Sequence, residues 1–288
     1  MKKSYDELKR IALEMRKRIL RTAWRANGGH IAPAYSMVEI VTLLYFGGYL
    51  KYKAKDPLWN DRDYFILSKG HGAIALYSAL GMAGFFDINE LDGFCKPGSH
   101  FGSLAKKGGV PGVEASTGSL GHGLSYAVGI ALANKIDKKE NQTFVLLGDG
   151  ECEEGSIWEG LMSAVHYKLD NLTIIVDNNS LQAMGDIEGI LSFGNIAGRG
   201  RAFGLTAVDV DGHDFAELEH ALATEHRGRP LLVVAHTIKG KGISFMENVP
   251  IWHYRVPDEK EIETAIKELG MTKEELGTHE NCLFRNII

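Results

Sequence analysis

The chain has 288 residues, 44% of them hydrophobic and 24% charged, which is enough for a large α/β domain with a buried core. Its 32 basic and 37 acidic residues are spread along the sequence and give a net charge of -5, which excludes an electrostatic footprint for nucleic acid or an anionic membrane. Three cysteines are too few for a disulfide framework, and the sequence shows neither a secretory signal nor an apolar membrane span. We therefore predict a cytoplasmic protein whose partners are small molecules or other proteins.

The N-terminal part of the chain is predicted to be mainly helical. Apolar residues at helical spacing predict an amphipathic helix over residues 4–26, ended by Asn27-Gly28-Gly29. A second helix is predicted to begin at Ser36, with Glu39 completing a capping box, and to run through Leu44. A short buried strand over residues 64–67 and a helix over residues 73–83 follow.

Strands and helices alternate in the rest of the chain. Strands are predicted over residues 143–147, 172–176, 206–210 and 231–235, with helices over 157–168 and 214–225. This alternation predicts the α/β class, with one central parallel sheet, helices on both of its faces, and a ligand site at the carboxyl ends of the strands. We find no linker or internal repeat, so we predict one domain, and the polar tail after Asp258 is expected to form one helix and a short extension.

Two polar motifs follow neighbouring strands. Gly148-Asp149-Gly150 comes directly after one strand, and Asp177-Asn178-Asn179 comes after the next. Because both lie at the same edge of a parallel sheet, the Asp149 carboxylate and the Asn179 amide oxygen are expected to reach one ion. Such oxygen donors suit Mg²⁺ or Ca²⁺ completed by phosphate oxygens, although Asp-Gly and Asn-Asn are also ordinary turn residues.

At these residues the sequence resembles the thiamine-diphosphate enzymes, and most closely the N-terminal half of transketolases. The resemblance covers nearly the whole chain, and it implies that residues 1–288 form a single diphosphate-binding domain with the thiamine-diphosphate-binding fold. It implies that Mg²⁺, or Ca²⁺ or Mn²⁺ in its place, holds the cofactor's diphosphate and is itself held by Asp149, Asn179 and the carbonyl of Leu181. Gly148 and Gly150 would then let the backbone approach phosphate.

A glycine-rich loop, Thr117 to Gly123, resembles a second motif of the family. The resemblance places Gly118, Ser119 and Leu120 against the pyrimidine side of the cofactor. On glycine spacing alone the same loop is more typical of a turn that starts a helix. His122 occupies a position where relatives commonly carry glutamine, so the resemblance gives it no role.

Four of the eleven histidines match active-site histidines of transketolases. A lone histidine is usually a structural residue, but His30, His71, His100 and His253 all fall in loops whose sequences resemble the family's. The resemblance implies that this set binds the diphosphate and the hydroxyls of a ketose donor and shuttles protons. His71 and His253 are expected nearest the diphosphate, and His30 and His100 nearest the substrate.

The resemblance assigns a role to each of two charged residues, and we interpret the neighbours of the second as structural. Lys239 matches a lysine placed near the cofactor, although a solvated loop charge is an equal alternative. Glu154 matches an acidic residue of the family's subunit interface that links paired cofactors. Its neighbours Glu151 and Glu153 are interpreted as solvated charges at a helix start, and Cys152 as a packing residue.

The resemblance also implies a partner chain. In the family, the glutamate that activates the cofactor lies in a second, pyrimidine-binding domain, and only 35 residues follow His253 here, too few for another domain. We therefore expect a separate C-terminal subunit that carries this domain and glutamate, assembled as an α2β2 heterotetramer. The predicted reaction is transfer of a two-carbon ketol unit from a ketose to an aldose, with sugars or sugar phosphates as substrates.

Three positions depart from the family's pattern near the predicted substrate pocket. Ile31 and Phe101 stand where proline is usual in relatives, and Tyr254 stands where glycine is usual. We interpret the three departures as clustering around one pocket. They suggest a donor or acceptor other than the standard pentose phosphates.

Three alternatives remain open from the sequence. The first is another thiamine enzyme, either a 2-oxo-acid dehydrogenase α-type subunit or a deoxyxylulose-phosphate synthase-like protein. The second is a non-catalytic subunit that holds the cofactor, although such a role needs none of the four histidines. The third, a dinucleotide-binding dehydrogenase, is disfavoured because no G-x-G-x-x-G motif follows a strand and opens a helix.

Overall fold

The structure is a computed structural model that describes residues 2–192 and 194–278. Eleven α-helices occur in these residues: α1 (Tyr5–Ala26), α2 (Ile31–Ser36), α3 (Val38–Phe46), α4 (Ala73–Met82), α5 (His122–Ile136), α6 (Gly155–His166), α7 (Ile187–Leu191), α8 (Ile196–Phe203), α9 (Phe215–Leu222), α10 (Glu259–Leu269) and α11 (Lys273–Leu276). Five strands accompany them: β1 (Tyr64–Leu67), β2 (Thr143–Gly148), β3 (Leu172–Asn178), β4 (Thr206–Asp211) and β5 (Leu231–His236). Short 3-10 turns include Gly150–Glu153 and Pro250–Tyr254.

The five strands form one parallel sheet in the order β1-β2-β3-β5-β4. Each predicted strand is present to within about two residues at its ends. Since β2 and β3 are neighbours, Gly148 pairs in register with Asp177, and Asn178 pairs with His236 at the end of β5. The predicted parallel sheet is confirmed, and its carboxyl edge brings the two polar motifs side by side.

Helices cover both faces of the sheet, as predicted. Alternate strand residues point into two separate hydrophobic cores: Phe144, Leu146 and Val233 pack with α1 to α4, and Val145, Leu147 and Val234 pack with α5, α6 and α8. The continuous apolar runs of β2, β3 and β5 follow from this burial on both faces.

The helix predicted from Ser36 is present as α3, but the predicted cap at Ser36 is wrong. Ser36 ends the short helix α2, and α3 begins one residue after Met37 without a side-chain cap. The Ser36 hydroxyl instead donates to the carboxylate of Asp177 at 2.5 Å, and Glu39 forms an ion pair with Arg16 at 2.7 Å. The spacing fits a capping box, but both side chains bond to groups distant in the sequence.

Five of the helices were not given a range from the sequence: α2, α5, α7, α8 and α11. Helix α5 packs one face against the strands and α6, but its exposed face carries the apolar residues Tyr126 and Ile136, so its sequence has little amphipathic pattern. Its first turn lies so close to the turn after β1 that a Cβ on Gly123 would collide with the Ser68 side chain. The tail after Asp258 contains α10 and the four-residue α11, and Cys282 lies outside the described residues. No helix among the described residues combines the length and the apolar character needed to cross a bilayer.

Candidate active site

A cavity of about 370 Å³ opens at the carboxyl edge of the sheet. Its walls come from the turns after β1, β2, β3 and β5, from the start of α2, and from the 3-10 turn near residue 253. The lining residues with chemical groups of interest are His30, Lys69, His71, Asp149, Glu151, Asn179, Gln182, Lys239 and His253, together with backbone at Gly118, Leu120, Gly148, Gly150 and Leu181. Most of the residues predicted to form the site therefore lie around one cavity.

Asp149 and Asn179 directly follow the neighbouring strands β2 and β3, and both line the cavity. Asp149 accepts hydrogen bonds from the backbone N–H of Gly150 at 2.8 Å and of Ser180 at 2.5 Å, and Asn179 Oδ1 accepts from the N–H of Leu181 at 3.2 Å. Burial, followed by the nearby Asp177 carboxylate, raises the pKa of Asp149 to about 6. The fold thus holds a carboxylate that an added cation would stabilise.

Lys239 connects the two sides of the cavity. Its ammonium group donates to the carbonyl oxygens of Leu181 at 2.9 Å and Gln182 at 3.2 Å, and to His253 Nδ1 at 3.0 Å. Burial, and then the positive charge of Lys69, lower the pKa of Lys239 to about 8. Lys239 is 1% exposed, so the alternative of a solvated loop charge is wrong.

Three of the four predicted histidines form a compact cluster. The ring centroids of His30, His71 and His253 lie 5.2 to 5.4 Å from one another. Burial, followed by the charge of Lys239, lowers the pKa of His30 to about 4 and that of His253 to about 3. Burial and Lys69 place the pKa of His71 well below its usual value. All three rings are therefore neutral at pH 7, and each offers one donor and one acceptor.

Three predicted site positions do not line the cavity. His100 and Ser119 are exposed, and His100 makes no ring contact with the three clustered histidines. Glu154 is also exposed, beside Gly121, where a Cβ would lie 2.8 Å from the Glu154 Cβ. His122, to which the resemblance gives no role, is exposed, and its Nδ1 lies 3.1 Å from the Leu120 carbonyl oxygen. The predicted roles of His100, Ser119 and Glu154 stay predictions.

The interpretation of Glu151 and Glu153 as solvated charges is wrong. Glu151 is 2% exposed and accepts three hydrogen bonds, and burial raises its pKa. Glu153 is half-buried and accepts from Gln182 Nε2 at 2.5 Å. Cys152 is buried and packs in the core, as predicted. The sequence does not predict this burial, because acidic residues that follow a Gly-Asp-Gly turn usually lie in an exposed loop.

A buried ion pair below the histidines was not predicted from the sequence. Lys69 donates to Asp177 and to the Pro33 carbonyl oxygen, and the Lys69 and Asp177 side chains are 1% and 0% exposed. Asp177 also accepts from the hydroxyls of Ser36 and Thr237. Burial opposes ionisation of Asp177, but Lys69 and these donors hold its pKa below the usual value. The pair ties α2, the turn after β1 and the turn after β5 together.

The three departures from the family pattern do not cluster, so that interpretation is wrong. Ile31 is fully buried, and Phe101 packs in the core with Phe86 and Tyr77 at centroid distances of 4.9 and 5.5 Å. Only Tyr254 reaches the site: its ring centroid lies 4.7 Å from that of His30. Adjacency to a site residue in sequence does not fix which way a side chain points.

The residues present fit a cation bound together with an anionic, polar ligand. No three His, Cys, Asp or Glu side chains in the part of the chain that the structure describes are grouped to hold a metal ion. One carboxylate and one amide leave most positions of an Mg²⁺ octahedron for ligand oxygens and water. Lys239 and Lys69 supply positive charge, and His30 Nδ1 is buried without a hydrogen-bond partner among the described residues, as a polar ligand would require.

Comparison with known proteins identifies the family. Residues 9–282 match the family described as Transketolase, thiamine diphosphate binding domain. The chain is 42% identical over 270 residues to a subunit of the apulose-4-phosphate transketolase of Actinobacillus succinogenes, covering 92% of this chain and 97% of that protein. It is 36% identical to the SqwG subunit of the 6-deoxy-6-sulfo-D-fructose transketolase of a Clostridium species, covering 93% and 98%. The chain therefore belongs to the transketolase thiamine-diphosphate-binding family.

Solved transketolases share the fold. The Leishmania mexicana enzyme superimposes with a TM-score of 0.87 at 27% identity, covering 98% of this chain but 44% of that one. In sequence, the chain is 36% identical to human transketolase over 264 residues and spans 42% of its length. The predicted thiamine-diphosphate-binding α/β fold is thereby confirmed, and the chain corresponds to less than half of these longer enzymes.

Proposed function

We propose that this chain is the diphosphate-binding subunit of a two-subunit transketolase, which transfers a two-carbon ketol unit from a ketose to an aldose. The observation that carries the proposal is the convergence of Asp149, Asn179, Lys239 and three neutral histidines on one cavity at the carboxyl edge of the sheet. A dinucleotide-binding dehydrogenase or a purely structural subunit needs no such set. We keep the prediction of a cytoplasmic enzyme, which rests on the composition.

The residues divide the work by their chemistry. Asp149, Asn179 and the Leu181 carbonyl would hold Mg²⁺, and Lys239 would neutralise diphosphate charge. When bound, thiamine diphosphate supplies the electron sink for cleavage of the sugar's carbon–carbon bond. His30, His71 and His253 are neutral, so each can accept a hydrogen bond from a sugar hydroxyl at one ring nitrogen and donate one to an oxygen at the other. The negative diphosphate would raise their low pKa values toward neutrality.

The partner chain is proposed to complete the site over the open side of the cavity. Two relatives of the chain are named as subunits of a transketolase, and both are matched over nearly their whole length. Apolar side chains on or beside the cavity walls are exposed, at 43% for Leu104, 89% for Met184 and 66% for Ile251. A partner that carries the pyrimidine-binding domain and the activating glutamate would cover them, and an α2β2 assembly would pair two such sites.

A reconstituted transfer assay tests this function. The chain, a candidate C-terminal partner and their mixture are each supplied with thiamine diphosphate, Mg²⁺, a ketose phosphate donor and an aldose phosphate acceptor. The expected result is formation of the two-carbon-extended ketose in the mixture alone. If the mixture binds cofactor but produces no extended sugar from any donor, the non-catalytic alternative replaces the proposal.

Tyr254 is the feature that favours an unusual substrate. Its ring covers one side of His30, and its hydroxyl lies 3.6 Å from the position that a Cβ on Gly28 would take. We expect kcat/KM for xylulose 5-phosphate with ribose 5-phosphate to be roughly 10-fold or more below that for the best donor in a panel, the range that steric exclusion in a pocket gives. Apulose 4-phosphate and 6-deoxy-6-sulfo-D-fructose, named for two relatives, belong in the panel.

Two variants separate Tyr254 from its surroundings. Tyr254→Ala is expected to reduce the ratio of kcat/KM between the best panel donor and xylulose 5-phosphate. Val249→Ala, an exposed change directly before the same 3-10 turn, is expected to leave this ratio unaltered. Turnover of the standard pentose phosphates by the unmodified enzyme at the rate of the best panel donor would contradict the idea of an unusual substrate.

Cofactor binding is expected to weaken above about pH 8. Because burial and Lys69 lower the pKa of Lys239 to about 8, its ammonium group loses its proton and its charge as the pH rises through that value. A diphosphate bound by the charged form then loses roughly 10-fold in affinity between about pH 7 and about pH 9. Calorimetric titration of thiamine diphosphate with Mg²⁺ into the two-subunit complex measures this.

Two Lys239 variants provide the controls. Lys239→Met removes the charge, so its affinity should be low and independent of pH over this range. Lys239→Arg keeps a permanent charge and is also expected to show little pH dependence. If Lys239→Met shows the same decline as the unmodified protein, another group titrates and Lys239 does not hold the diphosphate.

A further inference from the structure

Glu151 is a buried carboxylate that the proposed function does not use. It is 2% exposed, it lies in the 3-10 turn Gly150–Glu153, and it reaches the cavity wall. A buried carboxylate with no cationic side chain bonded to it costs several kcal/mol unless hydrogen bonds stabilise it. The contacts of Glu151 therefore show which parts of the chain it organises.

Three donors from separate segments converge on this carboxylate. Glu151 Oε1 accepts from the Ser68 hydroxyl at 2.5 Å and from the Gly121 N–H at 2.8 Å, and Oε2 accepts from the Gly148 N–H at 3.0 Å. Ser68 follows β1, Gly121 precedes α5, and Gly148 ends β2. One side chain thus joins the turn after β1, the glycine-rich loop and the turn that carries Asp149.

The position of Glu151 at the start of α5 explains how the charge is tolerated. Helix α5 is 15 residues long, and the partial positive charge of its N-terminus favours an anion beside Gly121. The same contact fixes the end of the Gly118–Leu120 segment, whose residues 118 and 120 line the cavity. On the other side, the Gly148 bond fixes the residue directly before Asp149.

We infer that Glu151 is a positioning residue that holds the glycine-rich loop and the Asp149 turn at a fixed separation, so that both ends of the cofactor meet preformed walls. This rests on the proposed function for the identity of the cofactor. Glu151 acts through backbone groups of neighbouring segments. In other metal proteins, residues that do not bind the metal orient its ligands by hydrogen bonds in a similar way.

Two variants that remove different hydrogen-bonding groups test the inference. In Glu151→Gln the shape is kept, but the amide nitrogen cannot accept, so one of the two backbone N–H groups loses its partner. In Ser68→Ala both backbone bonds remain. Calorimetric titration of the two-subunit complex with thiamine diphosphate and Mg²⁺ is expected to show about 10- to 100-fold weaker binding for Glu151→Gln. Ser68→Ala is expected to stay within about threefold of the unmodified protein.

Thermal unfolding of each variant without ligand separates positioning from general stability. Positioning predicts that affinity falls in Glu151→Gln even at temperatures where the variant is fully folded. Equal affinity of folded Glu151→Gln and the unmodified complex would overturn the inference. Failure of the unmodified complex to bind cofactor would instead contradict the proposed function.

Hydrogen exchange on the unmodified chain tests the inference without any variant. Because the amides of Gly121 and Gly148 donate to Glu151, NMR is expected to show both protected in the absence of cofactor. Exchange of either amide at the rate of an unstructured peptide would show that Glu151 does not hold that segment, whichever ligand the cavity takes.

Discussion

Asp149→Ala is expected to weaken the binding of thiamine diphosphate with Mg²⁺ by at least about 100-fold, or roughly 2.7 kcal/mol. Asp149 is the single carboxylate among the proposed ligands of the cation, and loss of residues that merely orient a metal ligand already costs about 10- to 100-fold. The loss should appear in binding and not in folding. Its raised pKa of about 6 means that the folded chain binds more protons at Asp149 than the unfolded chain does between about pH 4 and 6, so its contribution to stability falls as the pH rises through that range.

Calorimetric titration of the two-subunit complex measures this, with urea unfolding of the same samples alongside. Asp209→Ala is the matched control, because Asp209 lies on β4 of the same sheet and contacts His236 at 3.1 Å outside the cavity. If Asp149→Ala binds the cofactor with unchanged affinity and unchanged need for Mg²⁺, Asp149 does not hold the cation.

Asp177→Ala is expected to lower the free energy of unfolding by about 3–5 kcal/mol. The change leaves the Lys69 charge buried without its partner and removes the acceptor of the Ser36 and Thr237 hydroxyls. Since the free energy of unfolding of a typical domain is only about 5–15 kcal/mol, this change removes a large fraction of it. Urea unfolding followed by far-ultraviolet circular dichroism measures the change.

An exposed ion pair gives the comparison for this buried one. Glu263 and Lys273 lie 2.8 Å apart with side chains 63% and 73% exposed, so Glu263→Ala should leave the unfolding midpoint unchanged. A loss below about 1 kcal/mol for Asp177→Ala would contradict the role of the Lys69–Asp177 pair in joining the segments around the cavity.

Strand positions are predictable from the sequence because they depend on a local signal. Runs such as Thr143–Leu147 are apolar at nearly every position, which a strand buried on both faces requires, and the structure places them in β2, β3 and β5. The same order of elements places Asp149 and Asn179 at one edge of the sheet. The cavity between them follows from topology alone.

Helix positions are less predictable where packing replaces amphipathic pattern. Helix α5 packs one face against the strands and α6, but its exposed face carries Tyr126, Gly129 and Ile136, so no polar stripe marks the helix in sequence. Ser36 lies three residues before Glu39, as a capping box requires, but its hydroxyl donates a hydrogen bond to Asp177 instead. Local rules fail at Ser36 because its partner lies more than 100 residues away.

Individual side chains of the site are the hardest to predict. His30, His71 and His253 converge as the motifs suggest, whereas His100 does not reach the cavity and Phe101 lies in the core. From the sequence, the acidic and turn-forming residues around Glu151 predict that its side chain is solvated. Its burial depends instead on Gly121 and Ser68, which only the folded chain brings near.

The most direct test of a cofactor site shared between two chains is a calorimetric titration of thiamine diphosphate with Mg²⁺ into the chain alone, its candidate partner alone, and their equimolar mixture. We predict metal-dependent binding in the mixture at least about 100-fold tighter than to either chain, since each supplies part of one cavity. Equally tight binding to this chain alone would contradict the shared site, and no binding in any mixture would contradict a thiamine-diphosphate enzyme altogether.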